Sequence, residues 1–202
     1  MQKILTKSTL ARFVGTGLFL SAVSCSSFSP TASYVDPNAV NNLTTGFTMT
    51  DLQMVSQSMA DSLIASGKLN RNCKTYTVSK VANKTDQYID TETITQSIVN
   101  RLGNSSAVKS TYVVSAAEMQ NQTDELDRQN QSGLYKKSTT AKSGNMKGAE
   151  CRIDGFVNSI NTSNAGTKTE MVQYQYNMKL INVEAGEMVW SNEKPIAKMM
   201  QH

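Results

Sequence analysis

Residues 171–183 read MVQYQYNMKLINV, and this stretch decides the fold. Val172, Tyr174, Tyr176, Met178 and Leu180 fall on one side of an extended chain, and Gln173, Gln175, Asn177 and Lys179 fall on the other. A period of two is what a strand imposes, because successive side chains point to opposite faces. The pattern predicts a strand with one face on a core and a more polar face turned away from it, the habit of antiparallel sheets. Upstream, CRIDGFVNSINT (151–162) reads as a second strand, joined to the first by a polar turn around Asn164, Ala165 and Gly166. Downstream, Glu184-Ala185-Gly186-Glu187 makes a tight turn into MVWSNEK (188–194), whose Trp190 reads as a structural anchor. The C-terminal third is therefore expected to be three consecutive antiparallel strands.

Toward the N-terminus the period changes. In TMTDLQMVSQSMADSLIASGKL (48–69), Leu52, Val55, Met59 and Leu63 recur every three or four residues, which predicts a helix capped by Thr50 or Asp51 and closed at Gly67. TYTVSKVANKT (75–85) reads as a strand, and Ile94, Ile98 and Leu102 mark a helix over 91–102 that ends at Gly103. VKSTYVVS (108–115) is a further strand. Ser115-Ala116-Ala117-Glu118 reads as a capping box opening a polar helix through about Asn130, with Met119 and Leu126 on its buried side. The run 133–149, with Lys136, Lys137, Lys142 and Lys147, reads as a basic surface loop. The expected fold is α+β: a mixed four- to five-stranded sheet with flanking helices in the order α-β-α-β-α-β-β-β. The first strand should lie mid-sheet, with the strand from Cys151 parallel beside it.

Cys73 and Cys151 each stand at the start of a strand, and parallel neighbours bring their starts together. The expected arrangement is a Cys73–Cys151 disulfide, two separate buried thiols being the alternative.

The first 24 residues carry Lys3, Lys7 and Arg12, then the uncharged run Phe13–Ser24. Twelve residues are too few to span a bilayer, which takes about 20, and a basic segment before a short apolar one reads as a secretory signal. The segment closes on Leu20-Ser21-Ala22-Val23-Ser24-Cys25, which resembles a bacterial lipobox. That resemblance implies cleavage before Cys25 and acylation of its thiol, holding the protein to outer-membrane lipid, since Ser26 replaces the aspartate that retains many lipoproteins at the inner membrane. The expected organisation is a signal peptide over 1–24, lipidated Cys25 and a tether over 25–46, and a globular domain over 47–202. Residues 26–46 could reach about 70 Å fully extended.

Cleavage would remove three of the 20 basic residues and none of the 16 acidic ones, so the net charge falls from +4 to +1. Nucleic-acid binding loses its electrostatic support. The only histidine is His202, so no internal imidazole serves a catalytic triad or a metal. No cysteine spacing suits zinc, and the acidic group Asp124, Glu125 and Asp127 reads as a solvated helix face. No catalytic residue, cofactor or metal is expected. A glycosidase-like pair such as Asp154 with Glu170 is the enzymatic alternative.

Three stretches together resemble the LpoB family of outer-membrane lipoprotein activators of class A penicillin-binding proteins. They are YVDPNAVNNLTTGFTMTDLQMVSQSMADSLIAS (34–66), the approach through Gly148 and Ala149 into a strand ending near Gly155, and MKLINVEAGEMVWS (178–191). Such domains are broadly similar to CsgG-like and TolB amino-terminal domains. The resemblance implies a non-enzymatic regulator of peptidoglycan synthesis, periplasm-facing and anchored in the outer membrane, whose partner is a class A penicillin-binding protein. It identifies no partner-contact residues. Well-studied members carry a long proline-rich tether, and the tether here is short. This favours the alternative of a structural or assembly lipoprotein of the same fold in another envelope complex.

Overall fold

The computed structural model describes residue 36, residues 44–164, residue 166 and residues 168–201. Cys25, the segment read as a signal peptide, most of the stretch read as a tether and His202 lie outside the described residues. By its contacts Val35–His202 forms one unit, and Met1–Tyr34, the other, is among the residues not described.

In chain order the elements are α1 (Met49–Ser66), α2 (Lys68–Asn72), β1 (Thr75–Val78), β2 (Ala82–Lys84), α3 (Thr91–Gly103), β3 (Thr111–Tyr112), α4 (Met119–Gln131), β4 (Cys151–Asn164), β5 (Thr169–Asn182) and β6 (Met188–Gln201). The sheet runs β3-β1-β4-β5-β6, with β2 also paired to β4. β1 lies parallel to both β3 and β4, and β4, β5 and β6 pair antiparallel. This is the mixed α+β sheet expected, with the first strand inside it, but with six strands rather than four or five.

The extra strand comes from a break in 75–85. Val78 pairs with Ile153 and Ala82 with Phe156, so four steps on one strand match three on the other. That is a one-residue bulge. It turns both Val78 and Val81 inward, each 2% exposed, and the Val81 N–H leaves the ladder to donate to Thr95 Oγ1 at 3.0 Å. β4 runs the length read for it from 151–162 and on to Asn164, past the end near Gly155 given with the family resemblance, because β5 and β6 are equally long and carry its ladder outward.

α1 and α3 pack on one face of the sheet. Leu52, Val55, Met59 and Leu63 meet Ile94, Ile98 and Leu102 over Tyr76, Ile153, Val157 and the inward residues of β5. Val172, Tyr174, Tyr176, Met178 and Leu180 are all at most 2% exposed, as their alternation required. Trp190 stands opposite Leu180 and packs against this core.

The caps differ in detail from the sequence reading. Thr48, rather than Thr50 or Asp51, caps α1. Asp51 lies in the first turn, and its Oδ2 accepts the Thr48 N–H at 2.7 Å and the Thr48 hydroxyl at 2.9 Å. Gly67, with φ of 61°, ends α1 in the left-handed conformation that costs glycine least. Glu118 does reach back to the Ser115 N–H at 2.9 Å, but α4 begins only at Met119. The same carboxylate oxygen accepts the Tyr112 hydroxyl at 2.6 Å, which ties it to the sheet edge. No residue of α4 is buried, Met119 and Leu126 included.

Candidate functional site

With the helices on one face, the other face of the three long strands is bare among the described residues. The cross-strand register sets its rows. Asp154, Lys179 and Ser191 form one; Phe156, Asn177 and Glu193 the next; then Asn158, Gln175 and Pro195; then Ile160, Gln173 and Ala197; and finally Thr162, Met171 and Met199. Lys84 of β2 stands beside Asn158 in the register and caps the row of Phe156 from the side, its ammonium 4.3 Å from the ring centroid.

A groove of about 630 Å³ lies across the first two rows, bounded by Lys80 and Lys84 on one side and Ser191 and Glu193 on the other. Its charges are partly neutralised. Arg152 makes a two-pronged pair with Asp154, at 2.8 and 3.0 Å, and Gln175 donates to Glu193 at 2.6 Å. Lys80 holds Glu92 at 3.5 Å, with both side chains 64% exposed, a pair that water screens heavily. Beyond the groove the face turns apolar: Ile160, Met171 and Met199 are 59%, 41% and 69% exposed. An aromatic ring under a cation, a polar groove and an apolar end make a surface suited to contact with a partner.

The chain reaches the domain at the far end of these strands. Tyr174 Oη donates to the Thr45 carbonyl at 3.1 Å, Phe47 packs edge-on against Tyr174, and Lys198 donates to the Gly46 carbonyl at 2.8 Å. Lys198 also pairs with Asp51, whose side chain is 4% exposed. This buried pair locks the start of α1 to the end of β6. Contacts with the sheet therefore extend back to Thr45, into the stretch read as tether.

At the opposite end Cys73 and Cys151 are bonded, with Cα atoms 5.7 Å apart. Asp154 and Glu170 do not form a site. Glu170 pairs with Ser163, nine residues along β4 from Asp154, which separates them by about 30 Å, and their positions in the register place them on opposite faces. A carboxylate pair around one glycosidic bond needs about 5 to 9.5 Å. Asp124, Glu125 and Asp127 are engaged along α4 by Gln120, Arg128 and Gln131. Among the described residues no group of three or more His, Cys, Asp or Glu side chains could hold a metal ion.

Tyr112 of β3 and the Glu118 bonded to it are both perturbed. Burial, reinforced by the bond to Glu118, pushes the Tyr112 phenol up to about 12. The Tyr112 hydroxyl and the Ser115 N–H hold the Glu118 carboxyl below its usual value.

The sequence reading did not single out Lys84, Phe156 or Glu193 as site residues. The signal available was the polar alternate face of 171–183, which marked a surface without marking its neighbours.

The architecture is an α+β domain with helices packed on one face of its sheet. A family model described as peptidoglycan-synthase activator LpoB matches residues 51–196. The chain belongs to this family. Among solved structures, the LpoB C-terminal domain from Salmonella enterica is similar at 17% identity and a TM-score of 0.41, over 70% of this chain and 97% of that one. The solution structure of Escherichia coli LpoB matches at 16% identity and 0.39, over 97% and 94%. Lipoprotein GNA1162 from Neisseria meningitidis matches at 12% and 0.38, over 62% and 83%. No curated protein matches the sequence.

Proposed function

We propose that this protein is an outer-membrane lipoprotein, anchored through acylated Cys25, that binds a class A penicillin-binding protein in the periplasm and activates its synthesis of peptidoglycan. The family match carries the reading, because it runs from within α1 to within β6 and takes in every element between them. The open face is the surface we assign to the synthase, with Phe156 and Lys179 in its groove. Activation then needs no chemistry from this chain. A domain that binds the active conformation of the synthase more tightly shifts its population by that difference in affinity.

The test adds residues 26–202 to a purified class A synthase with lipid-linked precursor. Faster glycan polymerisation is expected, and Lys179→Glu, at an exposed position, should reduce it while leaving the melting temperature unchanged. Crosslinked envelopes of wild type and Cys25→Ala should differ in recovery of the synthase. Recovery of other envelope proteins alone would favour the assembly role to which the short tether points.

A further inference from the structure

Three segments of the chain meet at the disulfide end of the sheet, opposite the end where the chain reaches the domain. The α2–β1 junction brings Asn70, Lys74 and Thr75. The start of β3 brings Lys109 and Thr111, and the end of the 132–149 loop brings Lys147. Together they line a cleft of about 370 Å³. The cleft is shaped by its own bonds. Asn70 Oδ1 accepts the Lys109 N–H at 2.8 Å, Thr75 Oγ1 donates to the Gly148 carbonyl at 2.8 Å, and Ser110 Oγ donates to the Cys73 carbonyl at 2.6 Å. Cys73, bonded to Cys151, lies 3% exposed beneath.

None of the ion pairs among the described residues uses Lys74, Lys109 or Lys147. Lys109 Nζ donates to the Ser106 carbonyl at 3.0 Å, which leaves its other protons available. The acid at the rim, Glu150, has its carboxylate on the Lys74 N–H at 2.7 Å. The lining stretches 70–75, 109–111 and 147–149 contain no acidic residue, whereas Ser143, Gly144 and Met146, earlier in the loop, lie against Asp127 of α4.

We propose that this cleft binds the carboxylates of the cell-wall polymer itself, holding the domain to the peptidoglycan on which its partner works. The inference rests on the periplasmic reading above and adds a second ligand to it. The composition of the cleft decides between polyanions. Protein hot spots are enriched in Trp, Tyr and Arg, and membrane-inserting surfaces in Trp, Phe and Leu, whereas this cleft offers lysines, threonines, a serine and an asparagine. A hydrated glycan strand carrying short peptides with free carboxylates asks for that chemistry. Contacts of this kind are individually weak and sensitive to salt.

The test is co-sedimentation of residues 26–202 with purified peptidoglycan sacculi. Binding is expected in about 0.1 M salt and release in about 1 M, where the screening length falls from about 10 Å to about 3 Å. The triple variant Lys74→Gln, Lys109→Gln, Lys147→Gln should bind about tenfold more weakly, the matching arginine triple should retain binding, and polyglutamate should compete. Synthase stimulation without sacculi should be unchanged in the glutamine triple, while sedimentation reads the cleft even if no stimulation occurs. Equal sedimentation of wild type and the glutamine triple would overturn the proposal. Binding to anionic phospholipid vesicles in place of sacculi would overturn it too. So would loss of synthase stimulation in the triple without sacculi, which would make the cleft a protein contact.

Discussion

Replacing Gly155 with alanine tests how the sheet packs at its most crowded point. Gly155 has an ordinary backbone conformation and is not among the glycines with positive φ, so its requirement is for space. On the helix-facing side of β4, the Tyr176 ring leans across it. An added methyl would sit 2.5 Å from Tyr176 Oη, 3.1 Å from Cζ and 3.3 Å from the Asn177 carbonyl oxygen. Tyr176 is 1% exposed and cannot swing clear. Overpacking of this kind costs about 1 to 3 kcal/mol, and a 2.5 Å contact belongs at the upper end. Alanine in place of glycine returns about 0.4 to 1 kcal/mol by restricting the unfolded chain. The net expectation is about 2 kcal/mol of destabilisation, or a fall of about 4–8 °C in melting temperature for a domain of this size.

Tyr176→Phe removes the closest atom. It also removes a buried hydroxyl that has no hydrogen-bond partner among the described residues and whose ionisation burial suppresses, raising its pKa. Alone it should change stability by less than about 0.5 kcal/mol, or raise it slightly. The double variant should regain at least about 1 kcal/mol of the loss from Gly155→Ala. Urea denaturation without reductant, compared at constant m-value, measures all four proteins. Additive effects, or a Gly155→Ala variant as stable as wild type, would refute the reasoning, because each would mean that Tyr176 is free to move.

Replacing Cys73 and Cys151 together by serine opens a 78-residue separation and should lower stability by about 2–4 kcal/mol; an unchanged urea midpoint would count against the bridge. Lys198→Met strands the buried Asp51 carboxylate and should cost about 3 kcal/mol, whereas Arg101→Met, at a pair whose side chains are 52% and 49% exposed, should cost under about 1 kcal/mol. The two melting curves, run side by side, give the comparison. The depressed Glu118 carboxyl contributes stability that is present above its unfolded value, about 4.3, and is lost as pH falls through its folded value. The gap between wild type and Glu118→Gln should therefore be flat near neutrality and close in acid. Tyr112 has the opposite sign: its contribution is present below about 10 and lost as pH rises through about 12. Ultraviolet titration should show one fewer phenolate ionising near pH 12 in Tyr112→Phe than in wild type.

Helix faces and long strands were legible because burial writes a period into the chain. Leu52, Val55, Met59 and Leu63 repeat as a helix must, and 171–183 alternate as a half-covered strand must. Short strands were less legible. Thr111–Tyr112 has two residues and Ala82–Lys84 three exposed ones, and neither length carries a period. The start of α4 was misplaced because Glu118 has partners on both sides, and local spacing shows only Ser115.

What the sequence determined by itself is what local periodicity and special residues encode: the α+β class, the amphipathic faces, the turns at Gly67 and Glu184–Glu187, and the resemblance to a family. Tertiary structure alone decided which face stayed open, that Phe156 lies beneath Lys84, that Lys198 finds Asp51, and that Lys74, Lys109 and Lys147 meet at one end. The reason is physical. A period is a property of neighbours along the chain, whereas a surface is assembled from residues dozens of positions apart, and its composition follows from strand order and register.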